Sequence, residues 1–238
     1  MISSSERRQL LRERGDRHDH LLVGIDQSFS NYAMVLFREG IPVDRVVYHT
    51  GDPTAKKNKG RMYGKYFENP ILQLDYLYGQ VLTKLSEWNP NDIVMEGLAF
   101  GSTGQYERNL AALYFGMMVS LHRELGYNYN NLHTVTPTQA KAIAREFMIG
   151  DDKYHKEDGI ITTLKSGKRK LNPMNDKEDM LKALKNTPYG GWLVDGYTRD
   201  GLALAKTRET GLHDLGDAYF IGLSVLEGVF GYKLDRPQ

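Results

Sequence analysis

Three short β-rich runs follow one another with only turns between them: HLLVGID from His20, NYAMVLFREG from Asn31 and IPVDRVVYHTG from Ile41. Gln27 to Ser30 and Arg38 to Gly40 carry the residues that punctuate them. Connections this short make an antiparallel three-stranded opening. Downstream the pattern changes. A long helix is expected from about Tyr66 to Trp88, then a buried strand in NPNDIVMEGLAFG, a glycine-containing loop, and the helix YERNLAALYFGMMVSLHREL. A short strand from Asn131 to Val135 leads into a helix from Thr136 to about Phe147, where Pro137 suits the first turn. A helix near Lys177 to Lys185 and a last helix from His213 complete the order. Strands first, then helices alternating with strands, give an α/β fold with a mixed sheet.

Domain boundaries follow from composition. Residues 1–19 hold five arginines and four acids with little to bury, and are expected to be a mobile arm or an exposed helix. Residues 20–238 read as one domain, with a basic loop at 51–65 and an insertion at about 150–176 rich in Gly, Asp, Lys and Asn. In the helix at 105–124, Leu110, Leu113, Tyr114, Met117, Met118 and Leu121 form one stripe. Ala112, Phe115 and Val119 make the opposite side apolar too, so cover is expected on both sides, from later helices of the chain or from a second copy.

Several function classes are excluded. The chain has no cysteine, which removes a disulfide framework, a thiolate zinc site and a cysteine nucleophile. With 31 Lys plus Arg against 30 Asp plus Glu, it carries no uniform basic coat, so a phosphate-bearing partner must be met by local clusters. GRMYGKY at 60–66 lacks one intervening residue of a Walker loop and has Tyr66 where Ser or Thr should stand. The N-terminus has no signal-peptide core, and no run approaches the ~20 apolar residues of a membrane span. The expected location is cytoplasmic.

Acids occur where burial should forbid them. Asp26 ends the apolar run LLVGID, and Glu96 sits inside IVME, where an unpaired carboxylate costs several kcal/mol and needs a partner, a proton or a metal. Asp214 and Asp217 lie at i and i+3 on the first turn of the last helix; alone, they read as a cap satisfying free N–H groups. His213 beside them reads as a turn histidine or a metal-adjacent group. A strand-end Asp, a mid-strand Glu and a late helical Asp pair together suit an all-oxygen site for two Mg²⁺ ions, whose chemistry matches phosphodiester hydrolysis.

The motifs GIDQSFSNYAMVLF, IVMEGLAFG, YERNLAALYFG, TVTPTQAKAIA and HDLGDAYFIGLSVLEG resemble, in order, those of RuvC-type Holliday junction resolvases of the RNase H-like superfamily, over residues from about 20 to 230. The resemblance implies an RNase H-like fold with a mixed five-stranded sheet, three antiparallel strands then two parallel, flanked by helices. It implies a homodimer that cuts four-way DNA junctions with paired nicks, using Mg²⁺ or Mn²⁺. It assigns Asp26, Glu96, Asp214 and Asp217 as metal-binding acids. The loops at 51–65 and 150–176 exceed those of compact bacterial members, which suggests a phage or divergent one and a bacterial or phage-infected host cell.

DNA contacts are expected from Lys56, Lys57, Lys59, Arg61 and Lys65, and from Lys168, Arg169 and Lys170 with Lys165 beside them. Lys141 and Lys177 match the basic neighbourhood that the family has near its fifth strand; each is also explained as solvated helix charge. The family carries an aromatic residue near the loop after Glu96, so the resemblance implies Phe100 as a contact for an unstacked base, with core packing as the alternative, while Tyr66 and Phe67 read as the buried start of the long helix. Two other functions share these residues: a nuclease of the superfamily acting on flaps, branched DNA or RNA–DNA hybrids, and a noncatalytic DNA-binding scaffold.

Overall fold

The computed structural model describes residues 3–50, 67, 69–98, 105–148, 161–163, 169–171, 177–194 and 212–237. The opening runs pair as expected. β1 (Leu21–Asp26) is antiparallel to β2 (Asn31–Arg38), with Asp26 opposite Ala33; β3 (Ile41–His49) is antiparallel to β2, with His49 opposite Asn31. Glu39 and Gly40 turn between β2 and β3 at φ of 50° and 79°, the left-handed pair that a tight hairpin of matching twist requires. β4 (Asp92–Glu96) lies parallel to β1, and β5 (Leu132–Val135) parallel to β4, so the sheet order is β3-β2-β1-β4-β5. This is the mixed five-stranded sheet the resemblance implied.

Helices cover both faces. The arm expected over 1–19 contains α1 (Ser4–Gly15), none of whose residues is buried. It lies across the ends of α2 (Pro70–Trp88) and α3 (Gln105–Leu125): Arg7 donates to the His122 carbonyl at 3.1 Å, Arg14 to the Leu125 carbonyl at 3.3 Å, and Arg17 to the Asn89 carbonyl. Guanidinium groups on the last carbonyls of a helix satisfy orphan acceptors and oppose the negative end of its dipole. α2 starts at Pro70 rather than near Tyr66, because Asn69 accepts a hydrogen bond from the Ile71 N–H as N-cap and proline needs no donor in a first turn. Phe67 is half-buried ahead of that helix, against Tyr76; Tyr66 lies outside the described residues.

The other face carries α4 (Pro137–Arg145), α5 (Lys177–Lys185), the short α6 (Gly190–Val194) and α7 (Leu212–Gly228). Within the expected insertion, β6 (Ile161–Thr163) and β7 (Arg169–Leu171) pair as a separate two-stranded antiparallel sheet.

Period-two alternation divides the core. Leu21, Val23 and Ile25 of β1, with Ile93 and Met95 of β4, pack under α2 and α3. Leu22 and Val94 join α4, α5 and α7 on the opposite face. Each fully buried aliphatic side chain contributes roughly 1.5–3 kcal/mol, so the two faces fix strand register: a slip of one residue would expose both sets. α3 turns Leu113, Tyr114, Met117 and Leu121 inward, but Phe115 is 60% and Val119 48% exposed. No later helix of the chain covers that second side among the described residues. Nor is any helix among them long and apolar enough to cross a membrane.

Candidate active site

The register carries two acids to one edge. Ile25 stands opposite Met95 in the parallel β1–β4 pair, so Asp26 and Glu96, one residue on, end neighbouring strands spaced about 4.8 Å apart. The alternation places both on the α7 side of the sheet, in step with Leu22 and Val94. Gln27 ties the two ends together, its side-chain amide donating to the Glu96 carbonyl.

Helix α7 supplies the third acid through a close crossing. Gly24 has no room for a side chain: a Cβ there would stand 2.2 Å from the Ala218 carbonyl oxygen and 2.7 Å from the Gly222 nitrogen. α7 therefore lies directly on β1, running opposite to it, with Gly222 against the Phe37 ring. Asp214 is one turn, about 6 Å, back from Ala218 along the helix. Asp26 is two residues, about 6.6 Å, on from Gly24 along the strand, in the same direction. Both are buried, Asp26 at 8% and Asp214 at 5% exposure, and Glu96 and Asp217 are half-buried. Asp217, at i+3 from Asp214, lies on the flank of the same helix face. His213 is buried in the first turn of α7, which begins at Leu212.

The donor set is carboxylate oxygen on a partly desolvated sheet end, the chemistry that hard divalent cations prefer. Asp26, Glu96, Asp214 and Asp217 fit such an ion in kind and by sheet face. They are gathered rather than closed: among the described residues, no three or more acids or histidines form a group able to hold a metal ion as they stand.

Sequence reasoning missed one residue on this face. His49, the last residue of β3, shares the α7 face of the sheet with Val47, and its Nδ1 lies 2.9 Å from Oδ1 of Asn31, its partner across the strands. Burial pushes its imidazole pKa down, outweighing the upward pull of Asp214. The signal was in the run VVYHT, where period two gives His49 the face of Val47.

The expected DNA contacts are described only in part. Lys141 is half-buried on α4, whose capping box of Thr136 and Gln139 starts it directly after β5. Arg169 and Lys170 lie on β7, and Lys177 begins α5. Lys56, Lys57, Lys59, Arg61, Lys65, Phe100, Lys165 and Lys168 lie outside the described residues.

At the level of whole folds the chain is similar to Thermus thermophilus RuvC in complex with a Holliday junction substrate. The TM-score is 0.50 at 13% identity, covering 89% of this chain and 96% of that one. A second T. thermophilus RuvC structure gives 0.47 at 13% identity over the same shares. The yeast mitochondrial Holliday junction resolvase Ydc2 gives 0.44 at 15%, covering 93% of this chain and 88% of that one. No protein-family model matches the sequence, and no curated protein matches it. The fold is that of RuvC, an RNase H-like fold, as the motif resemblance implied.

Proposed function

We propose that the chain is a Mg²⁺-dependent endodeoxyribonuclease that resolves four-way DNA junctions by paired phosphodiester hydrolysis, acting as a homodimer. The observation that carries this reading is the meeting of Asp26 and Glu96 at the ends of paired parallel strands, on the face where α7 brings Asp214 down. The RuvC fold supports it, since the T. thermophilus protein was seen with a Holliday junction substrate.

In this reading residues 20–238 form one nuclease domain, with the arm at 1–19 and the segments at 51–65 and 150–176 as additions to it. Asp26, Glu96, Asp214 and Asp217 would hold two Mg²⁺ ions, with Mn²⁺ able to substitute, and His213 would support them. Such ions, when bound, polarise the scissile phosphate and lower the pKa of an attacking water. The chain's own share is orientation. Burial of Asp26 and Asp214 and the Gln27 bond to the Glu96 main chain fix the oxygens before substrate arrives.

Phosphate contacts would come from Lys56, Lys57, Lys59, Arg61, Lys65, Lys141, Lys168, Arg169, Lys170 and Lys177, with Phe100 against an unstacked base. Affinity then falls steeply with salt. The uncovered side of α3 supplies the dimer contact: Phe115 and Val119 border a groove of about 470 Å³ that Met118, Tyr129 and Leu132 also line. Two copies related by a two-fold axis present two sites to a two-fold junction.

The test is cleavage of end-labelled four-way junction, flap and linear duplex with Mg²⁺, by the wild type and by Asp26→Asn. Paired symmetric nicks in the junction alone, lost in the variant while junction binding persists, are expected. Preferred cleavage of the flap would move the substrate to another branched DNA. Binding without cleavage in the wild type would leave a scaffold.

A further inference from the structure

We infer that the exposed start of α2, formed by Pro70, Ile71 and Leu72, is an apolar wedge that meets unstacked bases of branched DNA at the acid end of the sheet. The inference rests on the nuclease reading and adds a contact for bases to it, on a helix that carries none of the four acids.

Exposure on a rigid mount is the first observation. Ile71 is 70% and Leu72 57% exposed, and Pro70 ahead of them is exposed too. The helix they begin is firmly held. Leu77, Val81, Leu85 and Trp88 of α2 are buried, and Asn69 caps the first turn by accepting from the Ile71 N–H at 2.8 Å. Three adjacent apolar residues thus stand in water at the head of an anchored helix, placed for a contact from outside the chain.

Hydrogen bonds fix where this tip stands. The Gln73 side-chain amide donates to the Phe29 carbonyl at 2.7 Å and to Thr50 Oγ1 at 2.7 Å. The Thr50 hydroxyl donates to the same Phe29 carbonyl, and the Thr50 N–H to the Ser30 carbonyl at 2.9 Å. Phe29 lies in the loop that follows Asp26, and Thr50 follows the end of β3. The start of α2 is therefore fastened to the end of the sheet where Asp26 and Glu96 close their strands.

Place and charge name the occupant. A protein seated on the tip would crowd the end at which the acids must receive a phosphodiester, whereas branched DNA must come there. Between Lys56 and Lys65 the sequence ahead of the helix carries five bases and no acid, which suits a DNA backbone. The tip itself is uncharged, and Asp75 is exposed one turn on, so phosphate is disfavoured at the tip and a base is not. Proline, isoleucine and leucine are among the side chains that DNA-bending proteins insert between base steps. A branch point has already lost part of its stacking, which lowers the cost of a wedge there relative to continuous duplex.

The experiment sets a fluorescent adenine analogue at the branch point of a four-way junction and titrates it with the full chain without Mg²⁺, alongside affinities for that junction and for linear duplex. The wild type should raise the fluorescence, as unstacking of that base does. Ile71→Ser with Leu72→Ser should lose the rise and bind the junction about tenfold more weakly, with duplex affinity, salt dependence and melting temperature unchanged. Ile71→Val with Leu72→Met keeps the tip apolar and should keep the rise. An unchanged rise in the serine variant, or an equal loss of affinity for junction and duplex, overturns the inference and leaves the four-acid nuclease standing. A serine variant that melts well below the wild type, or is monomeric where light scattering finds the wild type dimeric, also overturns it, because the tip is then packed by protein. A rise that depends on the tip, in a wild type that cuts no DNA with Mg²⁺, keeps the inference and sinks the nuclease reading. A wild type that binds no junction ends both.

Discussion

The two ends of the central sheet each bury a carboxylate, and they treat it in opposite ways. At the N-terminal end of β4, Asp92 accepts from two histidines, His133 at 2.7 Å and His20 at 2.9 Å. Phe230 packs against both rings, with centroids 4.4 Å from His20 and 5.8 Å from His133, so the end of the chain seals the cluster. At the C-terminal end, the neighbours that register and helix crossing bring to Asp26 are further carboxylates, Glu96 and Asp214. A buried acid met by donors is part of the protein's own architecture. Acids brought together at one sheet end supply the oxygen donors that the proposed function uses.

The sharpest way to break that contrast is to neutralise each acid in turn. Glu96→Gln should lower Mg²⁺-dependent junction cleavage by at least about 10³-fold, as expected where the lost group stabilises the transition state, without lowering thermal stability. Single-turnover kinetics and a melting curve read both quantities. A variant that melts well below wild type would show Glu96 to be a structural acid like Asp92. The second substitution has the opposite signature. Asp92→Asn leaves two histidines without their shared anion and should cost about 3 kcal/mol, measured by urea unfolding, with cleavage preserved at temperatures where the variant is folded. A stability change near zero would erase the difference between the two ends.

The acid end was far more legible in the sequence than the histidine end. Asp26 and Glu96 stood out because each interrupts an otherwise apolar strand, and the antiparallel pairing of the first three strands followed from the turns at Gln27–Ser30 and Arg38–Gly40. Asp92 and His20 sit beside turns where charge is ordinary, and only the fold brings His133, 41 residues beyond Asp92, to them. His49 was overlooked for a related reason. Its significance depends on β3 pairing with β2 so that Asn31 lies opposite, and on α7 bringing Asp214 near. The second apolar side of α3 was visible in its spacing, but whether the chain itself would cover Phe115 and Val119 depended on where later helices packed. Long-range placement of that kind is set by packing rather than by local pattern.

The crossing at Gly24 joins the acid end to the core, and it gives a third, intermediate effect. Gly24→Ala places a methyl group 2.2 Å from the Ala218 carbonyl oxygen, an obstruction made of backbone that no rotamer change relieves. α7 must lift, costing about 2 kcal/mol by the usual penalty for overpacking. The same movement carries Asp214 away from Asp26. Cleavage should fall by about 10²-fold even where the variant is fully folded, since a displacement near 1 Å is enough to misalign a site. Gly228→Ala, at the far end of α7 where a Cβ meets nothing within 4 Å, serves as the control and should change neither. Equal rates for Gly24→Ala and wild type would show that the acids are not held in place by this crossing.

The smallest effect separates the two ends by pH. Burial raises the Asp92 carboxyl pKa, but the hydrogen bonds from His133 and His20, and their charge, outweigh it and leave the group below its ordinary value of 3.8. The unfolded chain therefore takes up this proton first as pH falls. The stabilisation is complete above the ordinary value and is lost as pH drops from there through the lower folded-state value. A plot of unfolding free energy against pH should bend downward below about pH 4 in the wild type. In Asp92→Asn that bend should be shallower on a curve that starts lower, whereas in Glu96→Gln the Asp92 part of the bend should remain. Parallel acid limbs in the wild type and Asp92→Asn would mean that the two histidines do not favour the ionised carboxylate, and that the architectural end of the sheet is held by its aromatic seal instead.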